Sequence, residues 1–286
     1  MINIFTASND KYYPRLKTFS DSLLKTNGGE FNITVLYTDL SDENIKKYEK
    51  FARKNNFDCR FIKADNSRLK NYKLIHQITE ETYYRFLFTD IFPEEDRAMW
   101  MDIDTVVIQS LAPFYNCDFE DNYIAACPGN NERKHLARLG LDTNGCYFNA
   151  GVILFNLKKI REDFSNDFLF DVYEKNEEKI WFSDQDVLNI AFAGKVKRFD
   201  DRKYNYIVMS EQKIDRKKYS EIKKNVAVLH YVRHIKPWQV YFSGKVRYIY
   251  IKEMLKSYPF NALFVVLAGE LYRFKPNKKT LNNSER

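Results

Sequence analysis

The sequence predicts an α/β fold in which a mixed, mostly parallel sheet is flanked by helices. Two observations predict it: short runs rich in β-branched and apolar residues recur along the chain, and stretches with helical spacing separate them. An order of strand, helix, strand, helix, strand is typical of a parallel sheet covered on both faces. With 286 residues, the chain is long enough for one large domain of this class.

The N-terminal part contains the first three predicted strands. Residues 2–7 form the first strand, and an amphipathic helix follows until a glycine pair ends it. Residues 32–37 form the second strand. A second helix begins at Ser41, a good N-cap residue with acids in the next turn, and residues 59–62 form the third strand.

Strands and helices continue to alternate through the rest of the chain. The further predicted elements are a helix over 82–92, strands over 98–101 and 123–127, a helix over 134–139, a strand over 148–156, helices over 163–176 and from 183 onward, and a strand over 226–231. We therefore predict one α/β domain over residues 1–245 and a helical C-terminal extension with a basic tail over residues 246–286.

Composition and charge narrow the classes of function. The net charge of +7 attracts polyanions, but basic and acidic residues are interleaved and no zinc-finger or RNP-like motif occurs, so we predict that nucleic acid is not a partner. The four cysteines show no CxxC spacing, which predicts a reduced chain. No apolar run suits a signal peptide or a membrane span. We therefore expect a cytoplasmic protein.

Two acids follow the strand predicted over residues 98–101. In an extended segment, side chains at i and i+2 point the same way, so Asp102 and Asp104 can face one cation while Ile103 faces the core. Carboxylate oxygens suit Mg²⁺ or Mn²⁺, and ligands of open α/β sheets bind beyond the carboxyl ends of the strands. The alternative is that these acids are helix caps or surface charges.

A histidine and a lysine follow in the last predicted strand and just beyond it. The neutral imidazole of His230 is a good ligand for Mn²⁺ beside carboxylates, and Lys236 offers a point charge suited to phosphate. A lone histidine is usually structural. Together with the two aspartates, however, these residues describe a site for a diphosphate bridged by a metal ion.

Four motifs follow one another over roughly the first 240 residues. They are Asp102-Ile103-Asp104, Tyr147-Phe148-Asn149-Ala150-Gly151-Val152, Asp184-Gln185-Asp186, and His230 followed by Lys236-Pro237-Trp238. In this order and spacing they resemble the retaining glycosyltransferases of family 8, which include bacterial lipooligosaccharide galactosyl- and glucosyltransferases and, more distantly, the glycogenins. The resemblance implies the GT-A fold, a nucleotide-binding α/β domain.

The resemblance also implies the reaction: transfer of a hexose, glucose or galactose, from a UDP-sugar to a surface glycan or similar acceptor. Asp102, Asp104 and His230 would hold Mn²⁺ (or Mg²⁺) between the phosphates of UDP. The implied donor-binding residues are Thr6, Ala7, Tyr12, Arg85, Asp102, Ile103, Asp104, Ala150, Gly151, Arg233 and Lys236. For three of them there are alternatives: Tyr12 is a plain core residue, Arg85 an exposed helix cation, and Gly151 the mark of a bulge.

Three residues are implied as catalytic by the same resemblance. Asn149 would face the donor sugar, Asp184 would accept hydrogen bonds from its hydroxyl groups, and Gln185 would lie near the anomeric carbon. Because glutamine is a poor nucleophile, this set favours attack by the acceptor on the face from which the leaving group departs. The alternative for Asp184 is that it is one of several acids in the first turn of a helix that begins at Ser183.

One residue departs from the family pattern. The family commonly has glycine where this chain has Arg233, so we expect the arginine either to distort a phosphate contact or to replace it with a bidentate one. Other classes stay open as alternatives. A sugar-nucleotide pyrophosphorylase should have a Gly-rich basic loop after the first strand, where this chain has residues 8–11, SNDK. A UDP-sugar-binding protein without turnover would keep the same fold and the same acids.

The C-terminal stretch predicts a surface for membranes. Residues 260–267 are mostly apolar, and residues 272–286 contain five basic residues against one acid. An apolar segment followed by a basic tail can lie on an anionic bilayer, which suits peripheral contact with the inner face of the membrane and a lipid-linked acceptor. The alternative is a last helix docked on the core with a frayed end.

Overall fold

The computed structural model describes residues 1–65, 67, 69, 72, 80–212 and 214–273. The strands of this part are β1 Ile2–Ala7, β2 Phe31–Tyr37, β3 Asp58–Lys63, β4 Arg97–Met101, β5 Thr105–Val107, β6 Ile124–Pro128, β7 Phe148–Asn156, β8 Val196–Arg198, β9 Tyr206–Val208 and β10 Val228–Tyr231. The helices are α1 Tyr13–Asn27, α2 Asp42–Lys54, α3 Phe88–Ile91, α4 Ala112–Tyr115, α5 Glu132–Leu139, α6 Leu157–Asp163, α7 Phe168–Asn176, α8 Ser183–Ala191, α9 Arg216–Asn225, α10 Arg247–Ser257 and α11 Pro259–Arg273. Two 3₁₀-helices span Glu80–Leu87 and Glu177–Lys179.

A sheet of seven strands forms the centre of the fold, in the order β3-β2-β1-β4-β7-β6-β8. The first four strands of this order are parallel, whereas β7 runs antiparallel to both of its neighbours. The carboxyl ends of β1 and β4 therefore lie beside the amino end of β7. The predicted mixed, mostly parallel sheet is confirmed.

A second sheet of three strands, in the order β5-β10-β9, extends the fold beyond β4. β10 pairs antiparallel with β5 and parallel with β9, which places His230 opposite both Thr105 and Ile207. Because only three residues separate β4 from β5, the turn at residues 102–104 joins the two sheets. The chain therefore brings the late strand β10 back to the end of β4.

Apolar side chains cover both faces of the large sheet. Phe5 on β1 packs with Trp100 on β4, their rings meeting edge to face at 5.1 Å, while the neighbouring Ile4 and Met99 point into a separate cluster on the opposite face. Strands buried on both faces appear in a sequence as continuous apolar runs, as residues 152–155 do. This core supports the edge of the sheet at which Asp102 and Asp104 lie.

Two of the predicted helices differ in detail from the structure. The segment predicted as helical over 82–92 is helical, but it winds as a 3₁₀-helix before the single turn α3, and the four consecutive side chains 83–86 are all buried. An amphipathic α-helix buries only one stripe. The helix predicted over 163–176 breaks at Phe164, which is extended and stacks its ring on Phe168 at 4.5 Å.

The C-terminal helices pack beside the second sheet. Tyr250 on α10 and Val265 on α11 share a buried cluster with Tyr231 on β10. Arg247 is 2% exposed and donates to the carbonyl groups of Phe242 and Val265 at 2.7 and 3.1 Å, which ties the two helices to the preceding loop. The domain division at residue 245 stays a prediction. Most of the predicted basic tail, residues 274–286, lies outside the described residues.

None of the helices in the described part of the chain combines the length and the apolar character that crossing a bilayer requires.

Candidate active site

The four motifs meet at one edge of the large sheet. The amide of Asp102, just after β4, donates to the carbonyl group of Gly151 on β7 at 2.9 Å. Phe5 on β1 is level with Trp100 on β4, so Thr6 and Ala7 end their strand beside the same point. The carboxyl ends of β1 and β4 thus create the crevice in which open α/β sheets bind ligands.

The segment Asp102–Asp104 is a turn, and the extended conformation expected for it is wrong. The amide and the hydroxyl group of Thr105 both donate to the carbonyl group of Asp102, at 3.2 and 2.7 Å. The amide of Tyr231 donates to the carbonyl group of Asp104 at 3.1 Å. The turn and this strand pairing, rather than the alternation of a strand, aim both carboxylates at His230.

Three ligand atoms converge at this turn. Nε2 of His230 lies 3.6 Å from Oδ2 of Asp102 and 3.3 Å from Oδ1 of Asp104. These atoms lie within 4.8 Å of one another, and Asp104 Oδ1 is buried without a hydrogen-bond donor among the described residues. Two carboxylate oxygens and an imidazole nitrogen suit Mn²⁺. The residues present therefore fit a divalent cation.

The second oxygen of each aspartate carboxylate accepts hydrogen bonds from neighbouring side chains. Oδ1 of Asp102 accepts hydrogen bonds from Trp100 Nε1 at 2.7 Å and from Arg85 Nη2 at 3.0 Å. Oδ2 of Asp104 accepts one from Lys236 Nζ at 2.6 Å. These contacts fix both carboxylates so that one oxygen of each faces His230.

Charge around Asp104 keeps its carboxyl group ionised. Burial alone would raise the pKa of Asp104, but the positive charge of Lys236 and the interaction with His230 outweigh burial and hold the pKa below its ordinary value. Lys236 also donates to the carbonyl group of Tyr231 at 2.7 Å. The lysine thus bridges the late strand and the acidic turn.

Arg85 is a buried connector, and its alternative reading as an exposed helix cation is wrong. The side chain is 4% exposed and packs its guanidinium 4.4 Å from the ring centroid of Trp100. It donates to Asp102 and to the carbonyl group of Ala150, and its Nε lies 3.1 Å from Oδ2 of Asp184. Arg85 thus links the turn at residues 102–104 to β7 and to α8.

Gly151 leaves room for the side chains of His230 and Asp102. A Cβ atom at this position would lie 2.1 Å from Cε1 of His230 and 2.9 Å from Oδ2 of Asp102. No real side chain tolerates such distances, so a glycine is required where β7 passes the histidine ring. The glycine is therefore required by the side chains of His230 and Asp102 that pack against it.

Asp184 is the buried acid of the third motif. It is 4% exposed; Oδ1 accepts a hydrogen bond from Thr82 at 2.5 Å, and Oδ2 faces Arg85. Burial raises the pKa of Asp184 to about 6, although Arg85 and Thr82 oppose the shift. The carboxylate form, which can only accept hydrogen bonds, therefore predominates above about pH 6.

The other acid of this motif has a structural role. Asp186 is fully buried, and its oxygens accept hydrogen bonds from Arg138, from the hydroxyl group of Tyr147, and from the amides of Trp181 and Phe182, at 2.6 to 2.8 Å. It thereby fixes the turn before α8, where Ser183 has a φ of 46°. The left-handed turn and this buried carboxylate set the direction in which α8 starts.

Sequence and structural comparisons decide the family. Residues 3–241 match the family described as glycosyl transferase family 8. The chain belongs to this family. A lipopolysaccharide 1,3-galactosyltransferase of Salmonella typhimurium is 26% identical over 231 residues, which cover 78% of this chain and 68% of the relative. A lipopolysaccharide 1,2-glucosyltransferase of Escherichia coli is 28% identical over 228 residues, covering 76% and 67%.

Solved structures of a galactosyltransferase have a fold similar to that of this chain. A crystal structure of an active-site mutant of LgtC is 25% identical, has a TM-score of 0.77, and covers 90% of this chain and 96% of its own. A galactosyltransferase LgtC crystallised with donor and acceptor sugar analogs has the same TM-score at 24% identity, with coverage of 89% and 96%. The fold is therefore GT-A, and the protein is a family 8 glycosyltransferase.

Four further residues expected to bind the donor lie at the end of β1 or in the turns after β1 and β4. Thr6 is buried at the end of β1, and its hydroxyl group has no partner among the described residues; Ala7 beside it is half-buried. Tyr12 is half-buried and meets Trp238 edge to face at 6.4 Å, so the turn after β1 lies close to the fourth motif. Ile103 is half-buried and packs on the core.

Arg233, another residue expected to bind the donor, pairs with a surface acid. Its φ of 67° is left-handed, the conformation that favours glycine. The side chain is exposed, and Nη1 donates to Oε1 of Glu211 at 2.7 Å. The backbone thus keeps a glycine-like shape while the guanidinium points to a surface acid.

Several residues of the site escaped the sequence analysis. Trp100 and Thr82 contact the predicted acids. Tyr147 belongs to the second motif but was given no role there, and it accepts a hydrogen bond from Gln185 Nε2 at 3.0 Å. Oδ1 of Asn205, a residue that is 1% exposed, lies 3.0 Å from Nδ1 of His230. The first three residues lie within or close to motifs. Asn205 lies in none, so only its position in the fold reveals it.

Proposed function

We propose that the protein transfers a hexose, glucose or galactose, from a UDP-sugar to a surface glycan or similar acceptor, with retention of configuration and with Mn²⁺ or Mg²⁺. The observation that carries this proposal is the convergence of Asp102 Oδ2, Asp104 Oδ1 and His230 Nε2 beside Lys236. A site with three ligand atoms of this kind and an adjacent cation suits a diphosphate. The galactosyl- and glucosyltransferase relatives support the hexose and the glycan acceptor.

The proposed chemistry is stabilisation of the leaving group. The two aspartates and His230 would hold a divalent cation, which would supply Lewis-acid stabilisation of the charge that develops on the diphosphate. Lys236 adds a point charge beside the same site, and it leaves Asp104 when a phosphate oxygen offers a better-placed acceptor. Asp184 accepts hydrogen bonds from donor hydroxyl groups in its ionised form.

The resemblance to family 8 implies retention, and the acids near the site do not favour a covalent intermediate as the route to it. Oδ1 of Asp184 is bonded to Thr82 and Oδ2 faces Arg85, while both oxygens of Asp186 are occupied, and Gln185 is an amide. We infer attack on the face from which the diphosphate departs. The anomeric bond to the diphosphate breaks, the acceptor oxygen bonds to the anomeric carbon, and the acceptor proton passes to the leaving phosphate oxygen. A trapped glycosyl adduct on Asp184 or Asp186 would contradict this route.

We also propose that α11 rests on an anionic membrane and brings the enzyme to a lipid-linked acceptor. Its exposed apolar side chains recur at helical spacing: Phe260, Leu263, Phe264, Leu267 and Leu271, each more than half exposed. Ala262 and Val265 on the other face are buried in the core. An apolar stripe followed by basic residues in the sequence suits the boundary between headgroups and acyl chains. A cytoplasmic location at the inner face of the membrane fits this arrangement.

Calorimetric titration of UDP tests the donor site directly. With Mn²⁺ present, UDP should bind, whereas GDP and ADP should bind at least about tenfold more weakly, and EDTA should abolish the UDP signal. Turnover of UDP-glucose and UDP-galactose is then compared. Binding of a UDP-sugar without turnover would favour the non-enzymatic alternative. UDP binding that is indifferent to metal and to the base would contradict the proposal.

A matched pair of histidine variants controls this experiment. His230→Gln removes a ligand atom and should abolish the effect of Mn²⁺ on UDP binding. His234→Gln changes an exposed histidine in the same segment and should leave that effect unchanged. Equal losses in both variants would show that the segment, rather than the ligand, matters.

A further inference from the structure

We propose that Asn205 is a positioning residue that selects which nitrogen of His230 carries the proton, so that Nε2 is the atom offered to the metal ion. The inference deepens the proposed function and rests on it. Asn205 lies between β8 and β9, 25 residues before His230, and is 1% exposed. Its amide is the last member of a chain of side-chain amides that begins at the backbone of β7.

The first link in this chain is Gln185. The backbone amide of Ala150 donates to Oε1 of Gln185 at 3.1 Å, and an N–H group can only face an oxygen. Nε2 of Gln185 donates to the hydroxyl group of Tyr147 at 3.0 Å, which in turn donates to the carboxylate of Asp186 at 2.7 Å. The orientation of the Gln185 amide is therefore determined from both sides.

The second link is Asn149. Its Nδ2 donates to Oε1 of Gln185 at 3.0 Å, and its Oδ1 accepts a hydrogen bond from the backbone amide of Gly151 at 3.1 Å. A second backbone N–H group thus determines this amide as well. Asn149 consequently presents an acceptor, and not a donor, to Asn205.

The third link reaches the histidine. Nδ2 of Asn205 donates to Oδ1 of Asn149 at 2.9 Å. The same nitrogen lies 3.3 Å from the backbone carbonyl oxygen of Asn149. Oδ1 of Asn205 therefore faces Nδ1 of His230 at 3.0 Å, and the ring nitrogen must donate. With the proton held on Nδ1, the lone pair of Nε2 points at the oxygens of Asp102 and Asp104.

The opposite arrangement is disfavoured at the third link. If Nε2 carried the only proton, Nδ1 would need a donor, and the Asn205 amide would have to turn. Its oxygen would then face two acceptors of Asn149, at 2.9 and 3.3 Å. Buried polar groups without partners are costly, so the two backbone amides of β7 determine the tautomer of a residue on β10.

The test compares Asn205→Leu with Asn205→Asp. Leucine removes the acceptor for Nδ1–H, and we expect the affinity for Mn²⁺, measured by electron paramagnetic resonance of the free ion with UDP present, to fall by about 10- to 100-fold. Aspartate restores an acceptor for Nδ1–H but turns its second oxygen toward the two acceptors of Asn149, so it should recover only part of that loss. The KM for Mn²⁺ should rise in the leucine variant, while the KM for the sugar acceptor should change little.

A spectroscopic measurement tests the tautomer without metal. Long-range ¹H–¹⁵N spectra of the wild-type protein, recorded over a pH series that ends well above the ordinary imidazole pKa of about 6.5, should show His230 protonated on Nδ1. Asn205→Leu should shift the proton to Nε2. The resonance is assigned by its absence in His230→Gln. A wild-type ring with its proton on Nε2 and a bare Nδ1 would overturn the proposal.

Asn189→Leu is the matched control, since Asn189 is also 1% exposed and its side chain makes hydrogen bonds to the backbone but none to His230. It should lower the melting temperature about as much as Asn205→Leu and leave the Mn²⁺ affinity within about threefold. Equal losses of affinity in both variants would overturn the proposal. Failure of the wild-type protein to bind Mn²⁺ would contradict the proposed function, while the tautomer spectra would still test Asn205.

Discussion

At the scale of single residues, Gly151 gives the sharpest prediction. The Cβ atom of Gly151→Ala would lie 2.1 Å from the ring of His230, so the ring or β7 must move. We expect the Mn²⁺ affinity to fall at least about tenfold, because a displaced ligand no longer faces the two aspartates. Titration of Mn²⁺ with UDP present measures the change.

The control for this substitution is Gly194→Ala. Gly194 has a φ of 74° with no atom near its missing Cβ, so alanine there is strained without touching the site. It should lower the free energy of unfolding by about 1 kcal/mol and leave the Mn²⁺ affinity unchanged. If Gly151→Ala bound Mn²⁺ as the wild type does, the close approach of β7 to His230 would not matter for the site.

Residues of the site differ in how far the sequence reveals them. Asp102, Asp104 and His230 belong to motifs at strand ends, where a spacing and a chemistry can be recognised. Asn205 belongs to no motif, and its role depends on a partner 25 residues away. The role of a buried amide of this kind depends on its neighbours in three dimensions, which no local sequence pattern shows.

At the scale of elements, long periodic segments could be predicted and short ones could not. The strand predicted over residues 148–156 matches β7 at both ends. By contrast, β5, β8 and β9 have three residues each, too few for an alternation to show, yet β5 and β9 carry the pairing that brings His230 to the acids. The conformation of the turn at residues 102–104 depends on that pairing and was therefore missed.

The element that gives a prediction at this scale is α11. Replacing both exposed phenylalanines, Phe260→Ser with Phe264→Ser, removes much of the apolar stripe. We expect binding to anionic phospholipid vesicles to weaken at least tenfold, since burial of each ring is worth about 1.5–3 kcal/mol. Cosedimentation with vesicles that contain phosphatidylserine measures the binding.

Leu255→Ser on α10 is the control for the stripe. Leu255 is 46% exposed and lies outside α11, so this variant should bind vesicles as the wild type does. High salt should weaken the contribution of the basic residues and spare that of the stripe. Unchanged binding of the double variant would contradict a membrane role for α11.

At the scale of the whole molecule, the proposed metal ligands come from two sheets. The aspartates lie where the large sheet ends, and His230 lies on the central strand of the small sheet. A ligand that binds the folded form alone at about 100 times its Kd stabilises it by about 2.7 kcal/mol. We expect Mn²⁺ with UDP at such concentrations to raise the melting temperature by about 5 to 10 °C.

Thermal unfolding with and without EDTA measures this linkage. His230→Gln should melt at one temperature whether or not Mn²⁺ and UDP are added, because one of the two sheets then offers no ligand. A rise in that variant equal to the wild-type rise would mean that stabilisation arises elsewhere in the protein.

The oxygen of Asp104 that faces His230, buried without a donor among the described residues, also has an evolutionary consequence. The fold pairs the neighbouring Oδ2 of this carboxylate with Lys236, but the part of the chain that the structure describes offers Oδ1 no donor. Only a bound ligand gives Oδ1 a partner. In lineages where the activity is no longer selected, we therefore expect position 104 to drift early, while the buried aromatic residues of the sheet, which the fold requires, persist.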